Sequence, residues 1–234
     1  HSLSPKIHEL FFKYTGVTGT YELLETELEA LPERVEAMRS TFAGSNVTIP
    51  HKIAVMPMLD SIAPEAQAIG AVNTIKFTEA GSFGYNTDYF GFGRMLEYND
   101  IAVTGKVAVV LGSGGAARAV MTYLADKEAA QIYLVSRDVT AVDEHFLEIA
   151  PSCKVIDCAE LESIKGDVII NCTPVGMYPK VKAAPVSAKV CANFEAAVDL
   201  IYNPAETLFL RLAKEAGKKY VNGLFMLVAQ AVAA

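Results

Sequence analysis

Several things are scarce in this chain, and each scarcity narrows what it can be. Its 234 residues hold four cysteines, Cys153, Cys158, Cys172 and Cys191, with no CxxC pair and none at metal-ligand spacing beside a histidine. That pattern speaks against a disulfide scaffold and against a metal site, and for reduced thiols in a cytoplasmic protein. Basic residues are outnumbered 20 to 27, a net charge of -7, which excludes a generally basic nucleic-acid surface while leaving room for a local phosphate pocket. The longest apolar run, residues 224–234, is interrupted by Gln230 and has about half the length of a membrane span. No basic segment precedes an apolar one at the N-terminus, so no secretory signal is read there. Internal repeats and low-complexity stretches are missing too. The chain begins at His1 and stops in mid-pattern at Ala234, so both ends read as cut.

What is present points to a globular protein. Apolar residues make up 52% and charged residues 20%, which excludes a disordered chain, a collagen-like repeat and a coiled coil. At about 150 residues per domain the length allows one large or two small domains. The texture favours two, with a boundary near residues 100–105. Before it, residues 28–40 carry Leu28, Leu31, Val35 and Met38 at helical spacing with charges between them. After it, short Val- and Ile-rich runs at Val107–Leu111, 132–135, Lys154–Ile156, 168–170 and 197–201 alternate with helix-like stretches at 116–126, 143–149 and 205–215. Continuous apolar runs suit parallel strands buried on both faces. Their alternation with helices predicts βαβ units in a doubly wound α/β sheet.

The sharpest local signal follows the first of those runs. Gly112-Ser113-Gly114-Gly115-Ala116-Ala117 reads as Gly-x-Gly-x-x-Ala between a buried strand and a helix. Gly112 permits the tight turn, Gly114 lets a pyrophosphate approach the backbone, and the small Ala117 lets helix pack on strand. The next strand ends in Ser136-Arg137-Asp138. An NAD site usually has an acid here for the ribose 2′-hydroxyl. Arg137 would instead meet a 2′-phosphate, so NADP is favoured over NAD, with Asp138 opposing if it faces the same pocket.

Eight segments carry a likeness: His1-Ser2-Leu3-Ser4-Pro5, Asn46-Val47-Thr48-Ile49-Pro50-His51-Lys52, Ala71-Val72-Asn73-Thr74, Tyr85-Asn86-Thr87-Asp88, the glycine turn, Asn171-Cys172-Thr173-Pro174-Val175-Gly176-Met177, Asp199-Leu200-Ile201-Tyr202 and Gly223 to Gln230. In this order the chain resembles the shikimate dehydrogenases, over nearly its whole length. The resemblance implies a substrate-binding catalytic domain, residues 1–100 joined by 223–234, and a Rossmann-like nucleotide domain, residues 101–222. It implies NADP-dependent reduction of 3-dehydroshikimate to shikimate in aromatic amino-acid and chorismate biosynthesis. The expected proton donor is Lys52, oriented by Asp88; a lysine ammonium beside a carboxylate is chemically suited to a carbonyl oxygen that must be protonated as hydride arrives. Ser2, Ser4 and Tyr202 would hold the substrate carboxylate, and Thr48, Asn73, Asp88 and Gln230 its ring oxygens. Ser136, Arg137, Thr173, Pro174, Val175, Gly176, Met177, Gly223 and Met226 would join residues 112–116 around the cofactor.

Other readings of single residues stay open. Lys52 alone is a surface lysine, Asp88 a helix cap, Asn73 a turn former, and Met177 and Met226 core residues. His51 is read as structural, and His8 and His145 as surface or interface residues. The family normally places a strand before the His-Ser-x-Ser-Pro segment and continues beyond the last helix, so the first sheet is expected to lack a member. A quinate dehydrogenase using NAD keeps every motif named here, a methylene-tetrahydrofolate dehydrogenase shares the layout but not the Ser2/Ser4 pair, and a non-catalytic nucleotide-binding module is the reading from another class. Small-molecule partners, no nucleic acid, no membrane, no metal, and a monomer or homodimer complete the expectation.

Overall fold

The computed structural model describes residues 3–234; Ser2 lies outside the described residues. Short elements fill the first hundred. Pro5 sits in the first turn of α1 (Ser4–Thr15), where a missing N–H costs nothing, and Gly16 closes the helix at φ +71. The amphipathic segment expected over 28–40 is shortened to α2 (Leu31–Met38), with only a single 3-10 turn ahead of it. Pro32 explains this, because proline fits the first turn of a helix but not its interior. Leu31, Val35 and Met38 are buried as one face.

Beyond α2 come β1 (Gly44–Asn46), α3 (His51–Ala54), β2 (Ser61–Ile62), α4 (Pro64–Ile69), β3 (Thr74–Thr78) and β4 (Gly81–Tyr85). The strands form a four-stranded sheet in the order β1-β3-β4-β2, antiparallel except for the β2–β4 pair. The face of α2 packs with Val55, Ala66, Val72, Ile75 and Phe77 into a small core. From β4 the chain passes through Asn86 and Thr87 into α5 (Asp88–Tyr98).

The second half follows the predicted alternation: β5 (Val107–Leu111), α6 (Gly115–Asp126), β6 (Gln131–Val135), α7 (His145–Ile149), β7 (Lys154–Ile156), α8 (Cys158–Leu161), β8 (Gly166–Asn171), α9 (Ala188–Cys191), β9 (Phe194–Asp199), α10 (Leu208–Glu215) and β10 (Lys219–Val221). The six strands are all parallel, in the order β10-β9-β8-β5-β6-β7. Strand order reverses between β5 and β8, which makes the crevice beyond their carboxyl ends the topological switch point where such sheets bind ligands. The run expected at 197–201 begins three residues earlier and ends at Asp199, because that carboxylate accepts the Ile201 N–H and turns the chain. Helix α10 starts at Leu208 rather than 205, capped by the Thr207 hydroxyl.

The last helix, α11 (Leu224–Ala233), returns to the first half and lies on α5. The approach is close: a Cβ on Gly91 would stand 2.8 Å from the Met226 carbonyl oxygen. On its other side α5 meets α6, where Gly93 makes room for the Tyr123 ring. Helix α5 thereby connects the two sheets, and Asp88 is its first residue.

Candidate active site

At the end of β5 the backbone turns through Gly112 at φ +93, and a Cβ there would meet the Thr173 methyl at 2.7 Å. Glycine is therefore required twice over, by conformation and by the approach of the loop after β8. Gly114 caps α6 with no side chain bonded to the helix N-terminus, and nothing lies within 4 Å of the position its Cβ would take. The first N–H groups of a twelve-residue helix thus face open space, the donor set and positive dipole end that suit a pyrophosphate. Ser113 is exposed, and Gly115 and Ala116 are half-buried behind it.

The two residues expected at the ribose differ in their commitments. Arg137 is exposed and enters no ion pair among the described residues. Asp138 is turned into its own loop, where it accepts the Thr140 N–H and hydroxyl, bonds that hold its carboxyl below the usual range. The Ser136 hydroxyl also stays local, donating to the Asp138 carbonyl. Asp138 therefore does not neutralise Arg137, whose guanidinium stays unpaired among the described residues.

Residues 173–177 are held from below by a buried polar network. Asn171 Oδ1 accepts the Thr173 N–H and hydroxyl, and its Nδ2 donates to Asp199, which also accepts the Thr207 hydroxyl at 2.6 Å. Burial pushes the Asp199 carboxyl up to about 6. Burial, with the nearby charges of Asp199 and Asp88, raises Cys172 further from ionisation, so it stays a thiol. Val175 is half-buried, Gly176 turns at φ +98, and Pro174 and Met177 face solvent. Gly223 is pressed against the Leu200 carbonyl, leaving no space for any Cβ. Met226 is only 6% exposed and packs in the main core, so it presents little surface to a ligand.

Across the crevice, Lys52 lies on α3 and donates from Nζ to Asp88 Oδ2 at 2.5 Å, both side chains being about nine-tenths buried. Asp88 is not the helix cap; Thr87 holds that position, and the carboxylate occupies the first turn of α5, where the helix dipole favours its charge. The Lys52 stem packs on the phosphate turn, since a Cβ on Gly115 would lie 3.3 Å from Lys52 Cβ. The pair thus stands directly against the N-terminus of α6.

A polar string surrounds the pair. Asn73 Oδ1 accepts the Thr87 N–H at 2.8 Å and the Thr74 hydroxyl at 3.1 Å, while its side-chain amide nitrogen donates to the Thr87 hydroxyl. That hydroxyl donates on to Gln230 Oε1, so the single amide of the apolar last helix is partnered at its site-facing end. Asn86 anchors the turn by donating to the Ala71 carbonyl and accepting the Asp88 N–H. Through Thr74 and Asn46 the string reaches the Tyr21 hydroxyl, which is bonded to Ser4. Tyr21, Asn46, Thr74, Asn86 and Thr87 are site residues that the sequence reading misses. For Asn86 and Thr87 a signal exists, a polar triplet wedged between a strand and a helix; Tyr21 leaves none.

Not every expected member joins. Thr48 is exposed in the loop before α3, its side chain bonded to none of these groups. Tyr202 is half-buried in the loop after β9. His51, read as structural, has Nε2 against the Thr26 carbonyl at 2.8 Å. His8 is half-buried and stacked on Tyr21, and His145 meets the Ala68 carbonyl across the crevice. Among the described residues no group of His, Cys, Asp and Glu is arranged to hold a metal, and no helix is long and apolar enough to cross a membrane.

Comparison with known proteins finds relatives along the whole chain. The family model of the shikimate dehydrogenase substrate binding domain matches residues 1–75. The shikimate dehydrogenase (NADP(+)) of Clostridium beijerinckii is 48% identical over 238 residues, spanning 100% of this chain and 86% of that protein. A chorismate mutase/shikimate 5-dehydrogenase fusion protein from Clostridium acetobutylicum superposes with a TM-score of 0.92 at 52% identity, covering 100% of this chain and 85% of the other. Shikimate 5-dehydrogenase from Thermus thermophilus, solved with NADP(H) and shikimate, gives 0.87 at 38% identity over 99% and 86%. The chain belongs to the shikimate dehydrogenase family.

Proposed function

We propose that the protein is an NADP-dependent shikimate dehydrogenase that reversibly reduces 3-dehydroshikimate to shikimate, a step of aromatic amino-acid biosynthesis. Residues 1–100 with 223–234 would form the substrate unit and residues 101–222 the nucleotide unit, with the reaction in the crevice between them. One observation carries the reading: the Lys52–Asp88 pair stands against Gly115 of an open phosphate-binding turn.

Nicotinamide, when bound, supplies or accepts the hydride. Lys52 Nζ gives its proton to the developing alkoxide and takes it back in the reverse direction. Asp88 keeps the ammonium aimed until transfer, and its burial preserves that interaction from screening. Among the described residues the Asn73 and Gln230 amide nitrogens are each bonded once, and an amide nitrogen has two N–H groups. One donor on each therefore remains for ring oxygens. Ser2 and Ser4, with Tyr202 and Thr48, complete the substrate set, and Arg137 with the α6 N-terminus holds the cofactor phosphates. Such an enzyme would work in the cytoplasm as a monomer or homodimer.

Initial rates on shikimate and quinate, each with NADP+ and NAD+, test the assignment. Shikimate with NADP+ should be the fastest pair; equal or better turnover of quinate with NAD+ would reject it.

A further inference from the structure

Helix α6 does more than present N–H groups. Arg118, one turn in, is a buried arginine whose side chain is 6% exposed, and it reaches away from its own sheet. Its Nη1 donates to the Gly70 carbonyl at the C-terminal end of α4, at 3.2 Å, and its Nη2 pairs with Asp143. The guanidinium lies 5.5 Å from the Phe146 ring centre, and Nε is buried without a partner among the described residues. Burying an arginine with an unmet donor is costly, so a purely structural filler would be apolar. The contact is also built around it: Gly70 turns at φ +68, and a Cβ there would stand 2.5 Å from both Arg118 Nη1 and His145 Nε2.

The segment that Arg118 grips leads straight to the catalytic pair. Two residues after Gly70, the Val72 N–H donates to the Lys52 carbonyl at 2.8 Å. Between them, the Ala71 carbonyl accepts the Asn86 amide, which orders the turn into Asp88. Gly115, three residues before Arg118, touches the Lys52 stem. A single helix thus contacts the lysine directly and also holds the strand of backbone that anchors it.

We propose that Arg118 is a positioning residue, which ties the cofactor helix to the Gly70–Val72 segment and so sets where the Lys52–Asp88 pair stands relative to the phosphate-binding turn. This rests on Lys52 being the proton donor. Each ligand is bound mainly by its own unit, whereas the reaction spans both. Loosening the tie should therefore spare binding and slow chemistry, because misplacement by about 1 Å can cost about a hundredfold.

The test compares Arg118→Met, Arg118→Lys and Lys52→Ala with the unsubstituted protein. For Arg118→Met, kcat should fall about 10- to 100-fold while the separate affinities for NADP+ and shikimate change by less than about threefold. In the ligand-free protein, amide exchange at residues 71–73 should accelerate, and Arg118→Lys should recover part of both effects. Unchanged kcat and exchange would overturn the proposal, as would losses of affinity and melting temperature that account for the whole fall in kcat. If Arg118→Met does not fold, Arg118→Lys decides: a severalfold lower kcat with both affinities kept supports the tie, and an unchanged kcat refutes it. Near-normal turnover by Lys52→Ala would instead remove the reading beneath it.

Discussion

The turn after β5 and the pair at the start of α5 face each other, yet they are held by opposite means. Around Gly112 the shape comes from backbone: a positive φ, a helix N-terminus and the stacked ends of two buried parallel strands. Around Lys52 and Asp88 it comes from side chains of Asn73, Thr74, Asn86, Thr87 and Gln230, drawn from separate segments and bonded to one another. The first arrangement is generic, resting on backbone and on Gly112 rather than on bonds between side chains. The second is specific, and removing one member leaves buried donors or acceptors unmet.

The contrast can be broken from the side-chain half first. Asp88→Asn keeps the shape but removes the charge that aims Lys52, and kcat should fall by about a hundredfold with NADP+ affinity unchanged. Steady-state rates beside cofactor titrations measure this, and a parallel loss of cofactor affinity would show that the two halves are not separable. On the nucleotide half, Arg137→Gln should weaken NADP+ binding by roughly tenfold or more and leave NAD+ nearly unaffected, since the contact proposed for Arg137 is charge-assisted and would be made to the 2′-phosphate alone. Equal weakening of both cofactors would place Arg137 elsewhere.

The smallest effect concerns the network beneath residues 173–177. Asp199 sits at about 6 in the fold, above the ordinary carboxyl value, so the native state holds its proton more tightly than the unfolded chain does. The stability this contributes is complete below about pH 4 and is lost as pH rises through about 6. Asp199→Asn stays neutral throughout. Its stability relative to the unsubstituted protein should improve between about pH 4.5 and about pH 7.5, read from urea midpoints, and a constant difference would contradict the shift.

The same contrast governs what can be read in advance. Five of the six parallel strands stand out as Val- and Ile-rich runs, because burial on both faces demands them. The sixth, β10, is three residues long with Lys219 and Tyr220 exposed, so it leaves no apolar run. The four-stranded sheet is not legible strand by strand: β1 is Gly-Ser-Asn, β2 has two residues, and β4 carries two glycines. Gly112, Gly114 and Arg137 are legible because strand, turn and helix sit side by side in sequence. Lys52 and Asp88 are 36 residues apart, and single-residue chemistry makes each ordinary; only the family resemblance joins them. Tyr21 shows the remaining gap, since hydrogen bonds between distant loops have no periodicity to betray them.

The most direct test is Lys52→Ala, with NADPH and 3-dehydroshikimate at saturation and cofactor binding measured on the same sample. Turnover should fall by at least about a hundredfold while NADPH affinity is kept. A loss smaller than about tenfold would contradict the assignment of Lys52 as the proton donor.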